Sequence, residues 1–487
     1  MLTLLLGITF LGMTTSSAQE FKKEMSADSI LTLDNAITLA QANDEWLAKS
    51  KLREQQLIHL SQGASALPDP TFSLSLLNMP TDSVAYDQEA MTQLKIGVSQ
   101  MLPRGDSQSL TKQKYQLIAA EQPYQRIDRL NKISLQTSLL WLDAFKSAAS
   151  YRLVNEAKPL FNKLTEIVTA SYSSSSKNTN QQDIIRAELE LVRLNDRLIN
   201  LQTNQQVALA SLTQYLFSAQ HLSLYSLPDT LTKPNLIPTT LPIPTEIELA
   251  LLDYLSTKSS QTKYGKTHDK IHVKPFDTLY ERLTTHPLVS AIEQRILSAG
   301  MDIELADQAY KPQYSINASY AHRDDAPSAI GSNNANRADF FSIGVNVSLP
   351  LFSLTAQDAQ VASNIKAREA MRTEKTLLLK ELMAAVNIAY QTYLGSTQRY
   401  DLYDQQLLPQ LSQQADAARA AYTNDIADIV QVIRAQIALL DARVTLVEIT
   451  VAQRKSLATL AYYLSSSITQ LNPHNNTHKL KSDKHHE

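Results

Sequence analysis

Cysteine is absent from the 487 residues. That excludes disulfides, thiolate metal centres and a cysteine nucleophile, and also the thiol on which a bacterial lipoprotein anchor is built. Glycine is scarce at 10 residues, too few for loops that cradle phosphates, and no GxxxxGK, GxSxG or HExxH string occurs. The chain therefore reads as a non-enzyme without cofactor or resident metal. Excess positive charge is lacking too: 45 Lys and Arg face 48 Asp and Glu, a net charge of −3, which argues against a nucleic-acid partner. After the first residues no run of 18 apolar residues follows, so no transmembrane helix is expected.

An apolar run does open the chain. MLTLLLGITFLGMTTSSAQE is apolar from Leu2 to Met13, and Ser16 and Ala18 give a small-x-small cleavage signature. Residues 1–18 are expected to be a signal peptide cut after Ala18, although the usual positive start is missing. Export without a membrane helix leaves two fates: a soluble chain outside the cytoplasm, or a chain embedded in a membrane by strands.

The remainder is a duplication. KIGVSQMLP at 95–103 and FSIGVNVSLP at 341–350 share IGV-x-x-x-LP, 247 residues apart. DPTFSLSL matches KPQYSINA at an offset of 242, and DIIRAELEL matches QVIRAQIAL at 248. Ordered matches at nearly one offset indicate a repeated unit. Repeat 1 (19–216) and repeat 2 (286–464) have one plan: a helical segment (31–60, 286–310), two strands, then a long helical hairpin. Beyond Pro103 and Pro350 the apolar residues recur at three- and four-residue spacing, the helical rhythm. Pro123, Pro159 and Pro409 are expected to kink or offset those helices. Residues 217–285, with five prolines between 228 and 244, read as a connector, and 465–487 as a polar disordered tail. The fold class is mainly α with a small β sheet.

The four strands alternate. One face carries Phe72, Leu74, Ile96, Val98, Ile316, Phe341, Ile343, Val345, Val347 and Leu349; the other carries Lys95, Ser99, Ser342, Asn346 and Ser348. A half-buried soluble sheet alternates in this way, and so does a barrel strand with lipid on one side and an aqueous lumen on the other. Residues 341–351 supply the 9–11 residues that a tilted strand needs to cross. Aromatics near strand ends (Phe72, Tyr314, Tyr320, Phe340, Phe341, Phe352) suggest an interfacial girdle. Four strands cannot close by themselves, and lipid leaves open edges unpaired. On the membrane alternative the chain must share a barrel with copies of itself.

The duplication, G-V-x-x-x-L-P before each long helix, and AYTNDIADIVQVIRAQIALLDAR at 421–443 together resemble the TolC-like outer-membrane factors of tripartite efflux and type I secretion systems. The resemblance spans 31–464, and ALPDPTFSLSLLNMP with TQLKIGVSQMLPRGD looks closest to the heavy-metal efflux branch. It implies a homotrimer in the bacterial outer membrane, in contact with its lipid. Such a trimer has a 12-stranded barrel and a periplasmic α-helical tunnel, and docks on a periplasmic adaptor and an inner-membrane pump. The implied function is a passive exit duct for small molecules or metal ions. Type I protein secretion is the alternative within the class, and a periplasmic coiled-coil scaffold the alternative outside it.

The resemblance also locates a periplasmic gate near the start of the last helix. By position its candidates are Tyr422, Asp425, Asp428, Gln431 and Arg434, with Gln431 and Arg434 departing from the acidic residues usual there. Asp425 and Asp428 could equally cap that helix. The turns 173–182 and 423–428 are candidate adaptor contacts. The histidines of HNNTHKLKSDKHHE and His268/His272 read as solvated residues rather than metal ligands.

Overall fold

A computed structural model describes residues 31–82, 84–86, 88–173, 180–216, 275–325, 337–352, 354–424 and 428–466. The expected signal peptide, residues 217–274 of the connector, His268, His272, Asp425 and the tail beyond 466 lie outside them.

In chain order the elements are α1 (Leu33–Ala42), α2 (Glu45–Gly63), β1 (Thr71–Leu77), β2 (Gln93–Met101), α3 (Ser107–Ser173) and α4 (Gln181–Leu216). Then come α5 (Pro275–Thr284), α6 (Pro287–Asp307), a 3-10 turn (Gln308–Tyr310), β3 (Gln313–His322), β4 (Phe340–Ser348) and α7 (Leu354–Leu402). A π turn (Tyr403–Leu407), α8 (Leu408–Thr423) and α9 (Ile429–Tyr463) are the last elements among the described residues. Each repeat is thus helix pair, β hairpin, helical hairpin.

Four boundaries differ from the sequence expectation. The helix over 31–60 is broken at Asn43–Asp44, leaving α1 and α2. Ten residues of the expected connector form α5. Proline acts unevenly: α3 runs through Pro123 and Pro159 without interruption, whereas the π turn directly precedes Pro409. A π turn lets the ladder skip a donor, which is how a helix absorbs a missing proline N–H. Finally β4 ends at Ser348, so Leu349 and Pro350 lie past the ladder, and Leu349 is an exposed residue of the following segment.

The described residues form two compact units, each drawing matching pieces from both repeats. The first takes the described parts of Met1–Trp46, Asp128–His286 and Glu381–Glu487. One of its cores gathers Leu33, Ala36, Ile133, Trp141, Leu142, Phe145, Leu212 and Leu216. Trp141 is wholly buried, stacks on Phe145 at 5.7 Å, and donates its indole N–H to the Leu31 carbonyl at 3.1 Å. A second core lies at the hairpin ends, where Phe161, Leu164 and Val168 of α3 and Leu194 and Leu198 of α4 meet Ile429, Val430, Ile433 and Leu440 of α9.

The other unit, Leu47–Ile127 and Pro287–Lys380, holds the sheet. Its helices are joined by ion pairs at their flanks: Arg126–Glu54 between α3 and α2, Arg295–Glu121 between α6 and α3, and Lys375–Glu293 between α7 and α6. Polar pairing suits helices that are too slender to share a deep apolar centre.

Candidate functional site

The sheet has the order β1-β2-β3-β4 and is antiparallel throughout. Its register gathers most of the apolar strand positions on one face, leaving Leu77, Met101, Ala321 and Phe340 on the other. Leu74, Ile96, Tyr320 and Phe341 form one row; Phe72, Val98, Ala318 and Ile343 the next; Ile316 and Val345 a third, with Tyr314 and Val347 last. Among the described residues nothing covers that face: Phe72 is 76% exposed, Ile343 71% and Val345 60%. A soluble sheet would set such a face against its helices, so the packing of this chain favours the membrane alternative.

The opposite face carries Ser73, Ser75, Lys95, Gly97, Ser99, Asn317, Ser319, Ser342, Gly344, Asn346 and Ser348. All five residues expected to line a lumen therefore share a face, and all expected lipid-facing residues within strands share the other. The two IGV glycines lie on the polar side for a steric reason. A Cβ on Gly97 would come within 2.7 Å of Ser73 Oγ, and one on Gly344 within 2.9 Å of Asn317 Oδ1.

The aromatics are less orderly than a girdle. Phe72 sits in the middle row, and Phe340 falls on the polar face, where the Arg323 guanidinium lies 3.9 Å over its ring. Only Tyr314, Tyr320 and Phe341 are near the ends of the apolar face. Gln100, the one amide on that face, is satisfied locally: its Nε2 donates to the carbonyls of Pro68 at 2.7 Å and Met101 at 3.0 Å.

Polar latches hold the loop end of the sheet. The Tyr86 hydroxyl donates to the His322 carbonyl at 2.7 Å and accepts from Leu94 N–H at 3.0 Å, bridging a facing pair of β2 and β3. Asp339 accepts from the Tyr320 hydroxyl and the Arg323 backbone N–H, and lies 3.0 Å from His322 Nδ1. The Tyr320 hydrogen bond is the main reason its carboxyl is held down at about 2. At the other end, residues 308–311 clasp the starts of both long helices. Gln308 Oε1 accepts from Asp106 N–H, the Ala309 carbonyl accepts from Arg104 and Gln357, Tyr310 donates to Asp358, and Lys311 pairs with Asp106. Gly105 is fitted into this clasp at φ +46°, where a Cβ would meet Gln308 at 2.4 Å and Lys311 at 2.5 Å.

At the hairpin tips Asp428 is the N-cap of α9, its Oδ1 accepting from Val430 N–H at 3.3 Å. Tyr422 is half-buried against the second core. Gln431 and Arg434 are exposed and line a groove of about 650 Å³ between α8 and α9, with Gln414 and a floor of alanines, among them Ala418, Ala421 and Ala435. Arg434 and Gln431 thus come together, while Asp428 faces the helix end that it caps.

Two sites escaped the sequence reading. Asp44, at the α1–α2 break, accepts both Nε and Nη2 of Arg129 at 3.0 Å. His286, at the α5–α6 break, is wholly buried beside Tyr462, whose hydroxyl donates to Asp128 at 2.9 Å. Burial depresses the His286 imidazole to about 4 and raises the Asp128 carboxyl. Asp44 and His286 lie 242 residues apart, one of the offsets of the duplication, and that was the signal available for finding them.

Comparison with known proteins agrees with this geometry. Residues 278–466 match the family model described as outer membrane efflux protein. Among solved structures, CusC aligns at a TM-score of 0.66 and 14% identity, over 90% of this chain and 93% of that one. The outer-membrane channel OprN aligns at 0.67 and 12%, over 89% and 90%. The outer membrane protein VceC of Vibrio cholerae aligns at 0.64 and 14%, over 89% and 96%. At such identities what is shared is the fold. Comparison with curated proteins returned no match. The family match covers the second repeat, and the likeness to solved outer-membrane channels extends the shared fold over most of the chain.

Proposed function

We propose that three copies of this chain form a passive exit duct across the bacterial outer membrane, each giving four strands to one 12-stranded barrel. The exposed apolar face carries this reading. Among the described residues nothing covers Phe72, Leu74, Ile343 and Val345, and lipid is the partner that an alternating strand face of this kind requires. β1 and β4 each have one unpaired edge, and pairing β4 of one copy with β1 of the next closes the sheet and satisfies both. Lys95, Ser99, Ser342, Asn346 and Ser348 then line the aqueous lumen.

The helical hairpins form the periplasmic tunnel, and their turns meet a periplasmic adaptor that links the duct to an inner-membrane pump. Small molecules or metal ions are the cargo, and the pump supplies the energy. Tyr422, Asp425, Asp428, Gln431 and Arg434 stand around the tunnel's narrow end, where inward side chains are presented three times over. Outer-membrane fractionation, trimer migration on unheated gels and conductance in planar bilayers test the reading together. A soluble periplasmic monomer would overturn it.

A further inference from the structure

The polar face has an unusual charge inventory. Across all four strands Lys95 is the only lysine, arginine, aspartate or glutamate. It stands in the row Ser75, Lys95, Ala321, Phe340, and the next row on that face is Ser73, Gly97, Ser319, Ser342, with no carboxylate in either.

The next cation on the same side of β3, Arg323, sits over the Phe340 ring and donates to the Ala338 carbonyl at 2.6 Å. Asp339, immediately before β4, is occupied on the other side by Tyr320 and His322 from the apolar face. The remaining described acids at this end, Asp82, Glu89, Asp324 and Asp325, belong to loops beyond the strands.

We infer that Lys95 is the charge-selecting residue of the barrel and makes it favour anionic and neutral solutes over bare cations. This rests on the duct reading above, because the trimer is what presents Lys95 three times in one ring. Rings of lysine or arginine are the means by which pores of this kind prefer anions. Confinement between low-dielectric walls strengthens the field of a few charges. A chain with abundant acids elsewhere has kept them out of the strands, so nothing on the lumen wall offsets the ring. Cargo crossing the barrel would then be anionic or neutral small solutes, and a metal ion would pass as a complex rather than as the bare cation.

The test is the reversal potential of purified trimers in planar bilayers under a potassium chloride gradient. Wild-type channels are expected to favour chloride over potassium. Lys95→Gln should lower the chloride-to-potassium permeability ratio by about twofold or more, Lys95→Glu should invert the preference, and Lys95→Arg should leave it as in the wild type. Trimer migration on unheated gels controls for assembly of all three variants at this half-buried polar-face position. A wild-type preference for potassium, or reversal potentials indifferent to Lys95, would overturn the inference while leaving the duct intact. Folded trimers without conductance would overturn the duct reading itself, and this inference with it.

Discussion

Replacing Ile343 by lysine separates a lipid-facing sheet from a water-facing one by the sign and size of the effect. Ile343 is 71% exposed and lies in the central apolar row with Phe72, Val98 and Ala318. Within the strands that face offers a new ammonium no carboxylate; its titratable strand residues are Tyr314, Tyr320 and His322, and Asp339 lies at the loop end, held by Tyr320 and His322. In water the change at so exposed a position should be nearly neutral, within about 0.5 kcal/mol. At the midplane of a bilayer a lysine on the lipid face costs about 2–4 kcal/mol. At 1.4 kcal/mol per factor of ten, that lowers the folded-to-unfolded ratio of each subunit by about 30- to 700-fold. Ser342→Lys is the control, one residue away on the polar face. The assay is refolding from urea into lipid vesicles, with the trimer fraction read on unheated gels. Selective loss of trimer for Ile343→Lys is expected. Equal tolerance of both substitutions would refute the assignment of the faces.

His286 gives the helical unit a definite pH dependence. Its folded pKa is lowered to about 4 from 6.5, so as pH falls the unfolded chain takes up the proton first. Stability is complete above about 6.5 and is lost towards 4, by about 3 kcal/mol at most; urea midpoints at several pH values should show the slope, and His286→Gln should flatten it. Gly105→Ala places a side chain at φ +46° against Gln308 and Lys311. It should cost about 1–2 kcal/mol from the left-handed backbone alone, visible as a lower denaturation midpoint; no change would mean that the clasp yields easily. Asp428→Ala should destabilise by about 1 kcal/mol through loss of the α9 cap, whereas Asp428→Asn keeps the cap and removes the charge. Altered single-channel selectivity in the asparagine variant would give Asp428 a part in the gate beyond capping.

The legible features were local ones. Alternation in FFSIGVNVSLP named the strand and its faces, because side chains of a strand point alternately up and down whatever the partner strand. The Leu-Pro pairs marked the strand ends to within two residues, since proline cannot donate to the ladder. Asp428 was readable as a cap because the short carboxylate needs only the backbone two residues on. The aromatics misled for a related reason. Composition says that a ring is near a strand end, but only register says which row and which face, and it moved Phe72 to the centre and Phe340 to the polar face.

By itself, then, the sequence determined the twofold plan, the helix and strand rhythms and the division of each strand into an apolar and a polar edge. The fold alone decided what those pieces meet. β2 pairs with β3 across more than 200 residues, and a clasp at 308–311 holds the beginnings of both long helices. Arg129 finds Asp44, and Tyr462 reaches Asp128 beside His286. The physical reason is distance along the chain. Periodicity and capping are fixed by neighbours within a turn or two, whereas ion pairs, register and buried histidines depend on surfaces brought together only when the two repeats interleave.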